Sequence, residues 1–596
     1  MTKASGKVLG AFSFLGEGGP AMKANAEGGK GMSWSKINAS PATLSRNRVS
    51  AAPISGICVT CLDGCPGPCE VGRSALRGRE MIYPQPFGKI TAGSEKDYPV
   101  DFSHFNIQGS CVGALGVEAD PDQAIFPAVD LSTEVGAKEK IRLNVPFFTG
   151  ALGSTDIARI HWEGMAIAAA LCGTLVVVGE NVCGMDPQAE FRNGKVIRSP
   201  ELERRVKVFQ RWSNGKGAVL VQFNVEDGRL GVPEYAIEKL GVEAVEAKWG
   251  QGAKNIGGEV KLNRLERALE LKARGYVVLP DPEDPAVQRA FKAGAFKEFE
   301  RHSRLGMVEE EGFYRLVQHL REVGAKYVTL KTGSYRPADL ARAVKYASNA
   351  KIDLLTVDGS GGGTGMSPWR MMNEWGVPTV YLESLLYEYL SGLERQGAFI
   401  PSCAIAGGIT LEDQIFKALA LGAPYIKAVC MGRATMTAAM VGNTVGDMVK
   451  KGKVPAELKA YGETIEQIFI GYSKLKEIYG KDADQIPPSA IGMYTFYDRL
   501  SAGLQQLMAG ARKFALRYIS RDDLCALTRE ASRVSGIPHV MDADREEAAK
   551  ILGISMRPRP WEKGEEGRSL MASRSGGENY WQIGRQVPSS PFGKVH

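Results

Sequence analysis

IDLLTVDGSGGGTG, residues 352–365, decides how this chain is read. A short apolar run ends in an aspartate and then turns through glycine. A strand buried on both faces reads as a continuous apolar run, not as an alternation. Glycine follows where the backbone turns sharply or approaches a ligand closely. The same pattern returns downstream in FIPSCAIAGG (399–408) and YIKAVCMG (425–432). Upstream it is found in LNVPFFTG (143–150), TLVVVGE (174–180), AVLVQFN (218–224), VEAVEAKWG (242–250), YVVLP (276–280) and KYVTLK (326–331). Amphipathic segments such as Leu262–Arg274, Phe313–Val323 and Leu411–Leu421 lie between these runs. Strands alternating with helices imply parallel βα units. The span Leu143–Met440, about 300 residues, suits an α/β fold of the (β/α)8 TIM-barrel type with insertions. A doubly wound open sheet is the alternative.

Outward from that span, the expected organisation is an irregular leader (1–50), a Cys-rich segment (51–115), the barrel (116–450), a helical extension (451–555) and an irregular tail (556–596). Helices are predicted over Leu458–Tyr479, Thr495–Leu516 and Asp522–Ser535. Apolar residues make up 44% and charged residues 24%, the balance of a soluble globular protein. No stretch reaches the roughly 18 uncharged apolar residues of a membrane span. The first residues hold no apolar core of a secretory signal, so a cytoplasmic protein without membrane contact is expected. The net charge of +7 is spread along the chain, with no basic run interleaved with aromatics. No nucleic-acid partner is therefore expected.

Three glycine-rich turns close successive late strands: Asp358–Gly365, Ala406–Ile409 and Met431–Arg433. Late βα loops of a barrel commonly hold a phosphate, because backbone N–H groups and a helix N-terminus converge there. One Gly-Gly turn is often only a turn; three at successive strand ends point to phosphate binding. Arg433 adds a candidate charge-assisted hydrogen bond.

These residues also carry a resemblance. AGGITLEDQIFKALALGA (406–423) and the Gly432-Arg433 pair resemble the phosphate end of FMN barrels. GSGGGTGMSP (359–368), AKWGQGAK (247–254), TGALGS (149–154), VEDGRLGV (225–232) and YVTLKTG (327–333) resemble, in order, segments of the synthase domain of glutamate synthase. The resemblance implies that Ala151 and Gly153 lie near the flavin ring and that Lys331 contacts it. Gly362, Gly363, Thr364, Gly407, Gly408, Gly432 and Arg433 are implied to hold FMN. Lys248, Gln251 and Lys254 are implied to be the catalytic, substrate-side residues. Three departures stand out. The family's glutaminase domain, with its N-terminal cysteine, is not expected here. Cys430 to Asp447 holds one cysteine where the family carries three for an iron–sulfur cluster. QGAKNIGGE (251–259) and Leu279–Pro285 differ from the family's pattern beside the substrate.

Cys58, Cys61, Cys65 and Cys69 are spaced C-x2-C-x3-C-x3-C in a Gly/Pro-rich setting expected to be loop. Four thiolates this close suit a [4Fe–4S] cluster. Structural zinc, whose ligands usually come as two separated pairs, is an alternative, as is no metal. The scattered cysteines, Cys430 among them, are expected to be small buried hydrophobes.

The expected activity is that of an FMN- and iron–sulfur-dependent oxidoreductase acting on a small carboxylate substrate. Electrons would come from ferredoxin or a nucleotide-oxidising subunit, and the chain would be a homo-oligomer or a complex subunit. A different substrate with the same cofactors, or a non-catalytic redox subunit, are the alternatives. No GxGxxG follows a strand, so direct dinucleotide binding has no Rossmann support.

Overall fold

The computed structural model describes residues 63–67, 69–78, 98–252, 259–361 and 375–556. Eight parallel strands close into a barrel: β1 (Phe147–Leu152), β2 (Leu175–Val178), β3 (Ala218–Phe223), β4 (Ala244–Lys248), β5 (Tyr327–Thr332), β6 (Leu354–Asp358), β7 (Ser402–Ala406) and β8 (Ile426–Met431). Neighbours in the ring are neighbours in sequence, and β8 pairs with β1 to complete it. The open-sheet alternative is thereby excluded.

The apolar runs are continuous because each strand has two buried faces. One face fills the barrel with Phe148, Leu175, Val177, Leu220, Tyr327 and Leu354, set against the small Ala404, Ala406, Ala428 and Cys430. The other packs against the ring of helices in a second, larger core. An antiparallel hairpin, Thr133–Val135 with Ile141–Leu143, adds Val135, Ile141 and Leu143 to the interior cluster. The interior is thus an apolar plug on one side and open to chemistry only at the C-terminal strand ends.

One expected barrel strand lies elsewhere. Val277–Leu279, from the YVVLP run, pairs antiparallel with Phe299–His302, which also pairs with Glu259–Leu262. This three-stranded sheet is an insertion between β4 and β5, with its own core of Leu262, Leu271, Tyr276, Phe291, Phe296 and Phe299. Val278 is buried while Val277 and Leu279 are exposed. Such a strand has one buried face, unlike LVVV in β2, where all four residues are buried.

Five helices matter for the site: α1 (Glu70–Arg77), α2 (Asp156–Cys172), α3 (Pro200–Trp212), α4 (Arg433–Lys450) and α5 (Pro488–Gly510). The long α5 packs against α4, α2 and α1. A Cβ on Gly442 of α4 would meet the Pro488 carbonyl at 2.4 Å, so glycine permits that close crossing.

The extension differs from expectation in detail. Leu458–Tyr479 is three short helices, Ala456–Lys459, Ile465–Ile468 and Gly471–Tyr479. Gly462, at φ +124°, and a fresh N-cap at Thr464 break the run. The helix expected from Thr495 begins earlier, at Pro488, and ends at Gly510. Of the last one only Arg529–Ser535 is α-helical, after a 3-10 turn at Arg521–Asp523, and Leu524–Ala526 pairs with Phe105–Ile107 as strands. Residues from Val540 form a separate unit containing the helix Arg545–Leu552. No helix among the described residues is long and apolar enough to cross a membrane.

Candidate functional site

Strand register sets the charges at the C-terminal mouth. Lys331 of β5 lies level with Lys248 of β4 and Thr356 of β6. Glu246, two residues below Lys248, lies level with Thr329 and Gln222. Residues at one level of a parallel pair face the same side of the sheet. The sequence thus delivers two lysines, side by side, into a nearly dry space.

Each lysine has its own carboxylate. Lys331 Nζ is 3.1 Å from Asp358 Oδ2 at the end of β6. Burial by itself disfavours the Lys331 cation, but Asp358, Cys430 and Glu246 outweigh it and push its pKa up. Lys248 Nζ donates to Glu180 Oε1 at 2.5 Å and to Gln251 Oε1 at 2.8 Å. Glu246 is fully buried and accepts from Gln222 Nε2 at 2.6 Å. Burial pushes its pKa up, opposed by Lys331, Gln222 and Lys248. Cys430, buried as expected, has its thiol pushed up to about 12, mainly by burial, and is neutral near pH 7.

The first βα turn closes over these groups. A Cβ on Gly150 would lie 2.5 Å from Cys430 Sγ and 3.9 Å from Lys331 Nζ. Ala151 is half-buried against the barrel interior. Gly153 packs on the next strand end, where a Cβ would sit 2.7 Å from the Glu180 carbonyl.

The β7–β8 side is built from backbone. Gly407 and Gly408 have φ of +125° and +87°, values that favour glycine. A Cβ on Gly407 would be 2.3 Å from Thr379 Oγ1. That hydroxyl lies 2.7 Å from the Gly407 carbonyl and 3.0 Å from the Ser360 carbonyl, joining the two turns. Gly432 precedes α4, whose N-terminus has no side-chain cap, and a Cβ there would meet nothing within 4 Å. Among the described residues no side chain caps this 18-residue helix, and helix N-termini are places where backbone N–H groups bind phosphates. Arg433, half-buried, is the first helical residue.

Ala151, Gly153, Lys248, Gln251, Lys331, Gly407, Gly408, Gly432 and Arg433 thus all belong to one end of the barrel. Lys254, Gly362, Gly363 and Thr364 lie outside the described residues, as do Cys58 and Cys61.

Sequence reasoning missed several groups. Glu180 and Asp358 stand at the ends of quoted strands, and a charge ending a buried run at the catalytic face is a usable signal. Arg301, on the middle strand of the insertion, carried no such signal. It is fully buried, and its Nη1 donates to Ser303 Oγ at 2.7 Å. Its Nε and Nη2 have no hydrogen-bond partner among the described residues. The guanidinium lies 4.8 Å from the Tyr276 ring centroid and is coupled electrostatically to Tyr276, Glu180 and Asp227. Asp227 accepts from the Asn181 N–H at 2.8 Å through Oδ2, while Oδ1 is unpartnered. Burial raises its pKa to about 7.

The cysteine segment departs from a plain loop at its end. Cys69 caps α1, its sulfur accepting from the Gly72 N–H at 3.4 Å. Cys65 accepts from the Gly67 N–H at 3.3 Å. The described residues contain no group of three or more metal-ligating side chains. The segment is held between two barrel helices. Asp63 Oδ1 is 3.0 Å from Nε2 of the buried His161 on α2, and a Cβ on Gly67 would touch Val441 of α4 at 2.7 Å.

Residues 301–444 match the family described as the conserved region in glutamate synthase. An archaeal-type glutamate synthase [NADPH] of Thermotoga maritima is 26% identical over 316 residues, 52% of this chain and 51% of that protein. An archaeal glutamate synthase [NADPH] of Methanocaldococcus jannaschii is 32% identical over 219 residues, covering 36% and 38%. A glutamate synthase large subunit-like protein of Bacillus subtilis is 29% identical over 192 residues, covering 31% and 32%. The chain spans about half the length, or less, of these curated relatives. Among solved structures, a flavocytochrome b2 variant with pyruvate bound aligns at a TM-score of 0.42 and 14% identity, over 77% of this chain and 83% of that one. The barrel of this chain thus carries, at residues 301–444, a match to the conserved region in glutamate synthase, and it is similar at low sequence identity to curated archaeal-type glutamate synthases.

Proposed function

We propose that this chain is an FMN-dependent oxidoreductase of glutamate synthase type, reducing a C=N bond or another unsaturated bond of a small carboxylate. One observation carries the reading: two lysine–carboxylate pairs, one buried and one half-buried, share the barrel mouth with a helix N-terminus that no side chain caps. The residues present fit FMN. Gly432, Arg433 and the Gly407-Gly408 turn offer backbone N–H groups and a cation for its phosphate, and glycine leaves room for it. Gly362, Gly363 and Thr364 belong to the same site in this reading. When bound, FMN supplies hydride transfer at N5.

The chain's own residues do the rest. Lys331 remains a cation because Asp358 balances it, and it presents N–H donors beside Gly150 and Ala151. Lys248, held between Glu180 and Gln251, orients the substrate, with Lys254 from the same segment. The two unpartnered N–H groups of Arg301 suit a substrate carboxylate, which a guanidinium can hold bidentately. Asp227, with a pKa of about 7, can hold or release a proton near that guanidinium. The apolar barrel interior below excludes water, which strengthens each of these interactions.

Electrons enter, in this reading, through a [4Fe–4S] cluster on Cys58, Cys61, Cys65 and Cys69, supplied by ferredoxin or a nucleotide-oxidising subunit. The N–H groups on the Cys65 and Cys69 sulfurs support it, since hydrogen bonds to cluster sulfurs tune the potential. The segment's seat against α2 and α4 puts it on helices that begin at the barrel mouth. The cytoplasm, and a homo-oligomer or complex, complete the proposal.

The test is reconstitution under anaerobic conditions. The protein should take up FMN and about four irons, on the estimate of one cubane per four thiolates. Reduced protein should be reoxidised by 2-oxoglutarate plus ammonia or by another acceptor in a panel of imines, 2-oxo acids and enoates. Cys65→Ser should remove the iron and leave the FMN. Protein that binds no FMN, or no acceptor in the panel, sinks the reading; zinc in place of iron sinks its cluster.

A further inference from the structure

A second buried guanidinium stands behind the first βα turn. Arg205, on α3, is 1% exposed. Its Nη1 donates to two successive carbonyls of that turn, Leu152 at 3.1 Å and Gly153 at 2.9 Å. Its Nε donates to Glu201 Oε1 at 2.7 Å. The guanidinium lies 5.2 Å from the ring centroid of Trp162, and the Trp162 Nε1–H donates back to the Arg205 carbonyl at 2.9 Å. Trp162 belongs to α2, the helix that the turn leads into. Glu201 is held in turn by Arg204, and its N–H by Asp186. The side chain therefore has one orientation and one target.

Packing alone does not call for a charge here. Replacing a buried ion pair with apolar side chains of similar volume is often neutral for stability. What the arginine adds is direction. A peptide unit is planar, so a carbonyl turned outward to Arg205 turns the following N–H the other way. With the Leu152 and Gly153 carbonyls held toward α3, the N–H groups of Gly153 and Ser154 face away from it. The Leu152 carbonyl also accepts from the Gly179 N–H at 2.9 Å, and Gly153 abuts the Glu180 carbonyl. Glu180 in turn holds Lys248. One line of contacts thus runs from Arg205 through the turn to the substrate-side pair.

We propose that Arg205 is a positioning residue: its grip on the Leu152 and Gly153 carbonyls sets the turn that faces the flavin ring, and through Gly179 and Glu180 it sets Lys248. This rests on the flavin reading above. The experiment compares FMN affinity, the visible flavin spectrum and turnover in the full-length protein and in Arg205→Met, Arg205→Lys and Arg205→Ala. Arg205→Met keeps the volume and guards against simple misfolding. FMN should bind about tenfold or more weakly in Arg205→Met, as for loss of hydrogen bonds to a charged donor, with a shifted flavin band and a lower kcat. Arg205→Lys should recover part of each. Added guanidinium ion, at millimolar concentration, should restore the band and the affinity of Arg205→Ala. A folded Arg205→Met with wild-type affinity, spectrum and kcat overturns the proposal alone. Wild-type protein that takes up no FMN overturns the flavin reading first and this proposal with it.

Discussion

The two sides of the barrel rim are made of different material. On the β7–β8 side the groups at the rim are backbone: Gly407 and Gly408 in left-handed conformation, and the N-terminus of α4 after Gly432, which no side chain caps. On the β2–β6 side they are side-chain charges, the half-buried Lys248 with Glu180 and the buried Lys331 with Asp358. A backbone site is specified by residues adjacent in sequence and tolerates its ligand's absence, because N–H groups carry only partial charge. A buried charge site needs partners from different strands, and each partner becomes a liability when the other is removed.

The largest break between the two sides should come from Lys331→Met. It leaves Asp358 buried without its cation, and the cost should be about 3–5 kcal/mol of unfolding free energy. Denaturant titration should show that loss, with turnover abolished. Lys331→Met combined with Asp358→Asn should recover much of the stability and none of the turnover. If the single variant unfolds like wild type, the pair is not the buried, mutually dependent unit described here.

A smaller contrast separates holding the cofactor from using it. Arg433→Ala should weaken FMN retention by about 10- to 150-fold, the equivalent of roughly 1.5–3 kcal/mol for a hydrogen bond to a charged group. Lys248→Ala should lower turnover while leaving FMN content nearly intact. Equilibrium dialysis with FMN and steady-state rates on the same preparations would measure both. Equal losses of FMN in the two variants would erase the division of the rim into two sides.

A third contrast is a pH dependence. Asp227 has its pKa raised from 3.8 to about 7 by burial. A carboxyl with a raised folded pKa holds its proton more tightly when folded than when unfolded. Its contribution is therefore greatest below the unfolded value and is lost as pH rises through the window from 3.8 to about 7. The slope is at most about 1.4 kcal/mol per pH unit for one proton. Asp227→Asn should flatten the wild-type decline across that window, read as unfolding free energy against pH. Parallel profiles for the two proteins would remove Asp227 as the titrating group.

Legibility followed the same division. The glycine turns at 406–409 and 431–433 were readable because turn chemistry is local, and so were the doubly buried strands. YVVLP misled because five residues do not reveal how many faces will be buried; Val278 packs in the insertion's own core while Val277 and Leu279 are exposed. The lysines and Gln251 were named through resemblance, but the carboxylate partners Glu180 and Asp358 were not. Glu180 and Lys248 are 68 residues apart, and the pairing of β2, β3 and β4 brings them together.

What the sequence determined by itself is the alternation of doubly buried strands with helices, and with it the barrel and the glycine turns at its late strand ends. Both follow from local apolar periodicity and from the conformations glycine alone adopts readily. The tertiary structure decided which charges meet: Lys331 with Asp358, Lys248 with Glu180, Arg205 with the turn at Leu152–Gly153, and Arg301 left with open donors. Electrostatic partnership depends on distance through space and on burial, and neither quantity is written in the order of residues along the chain.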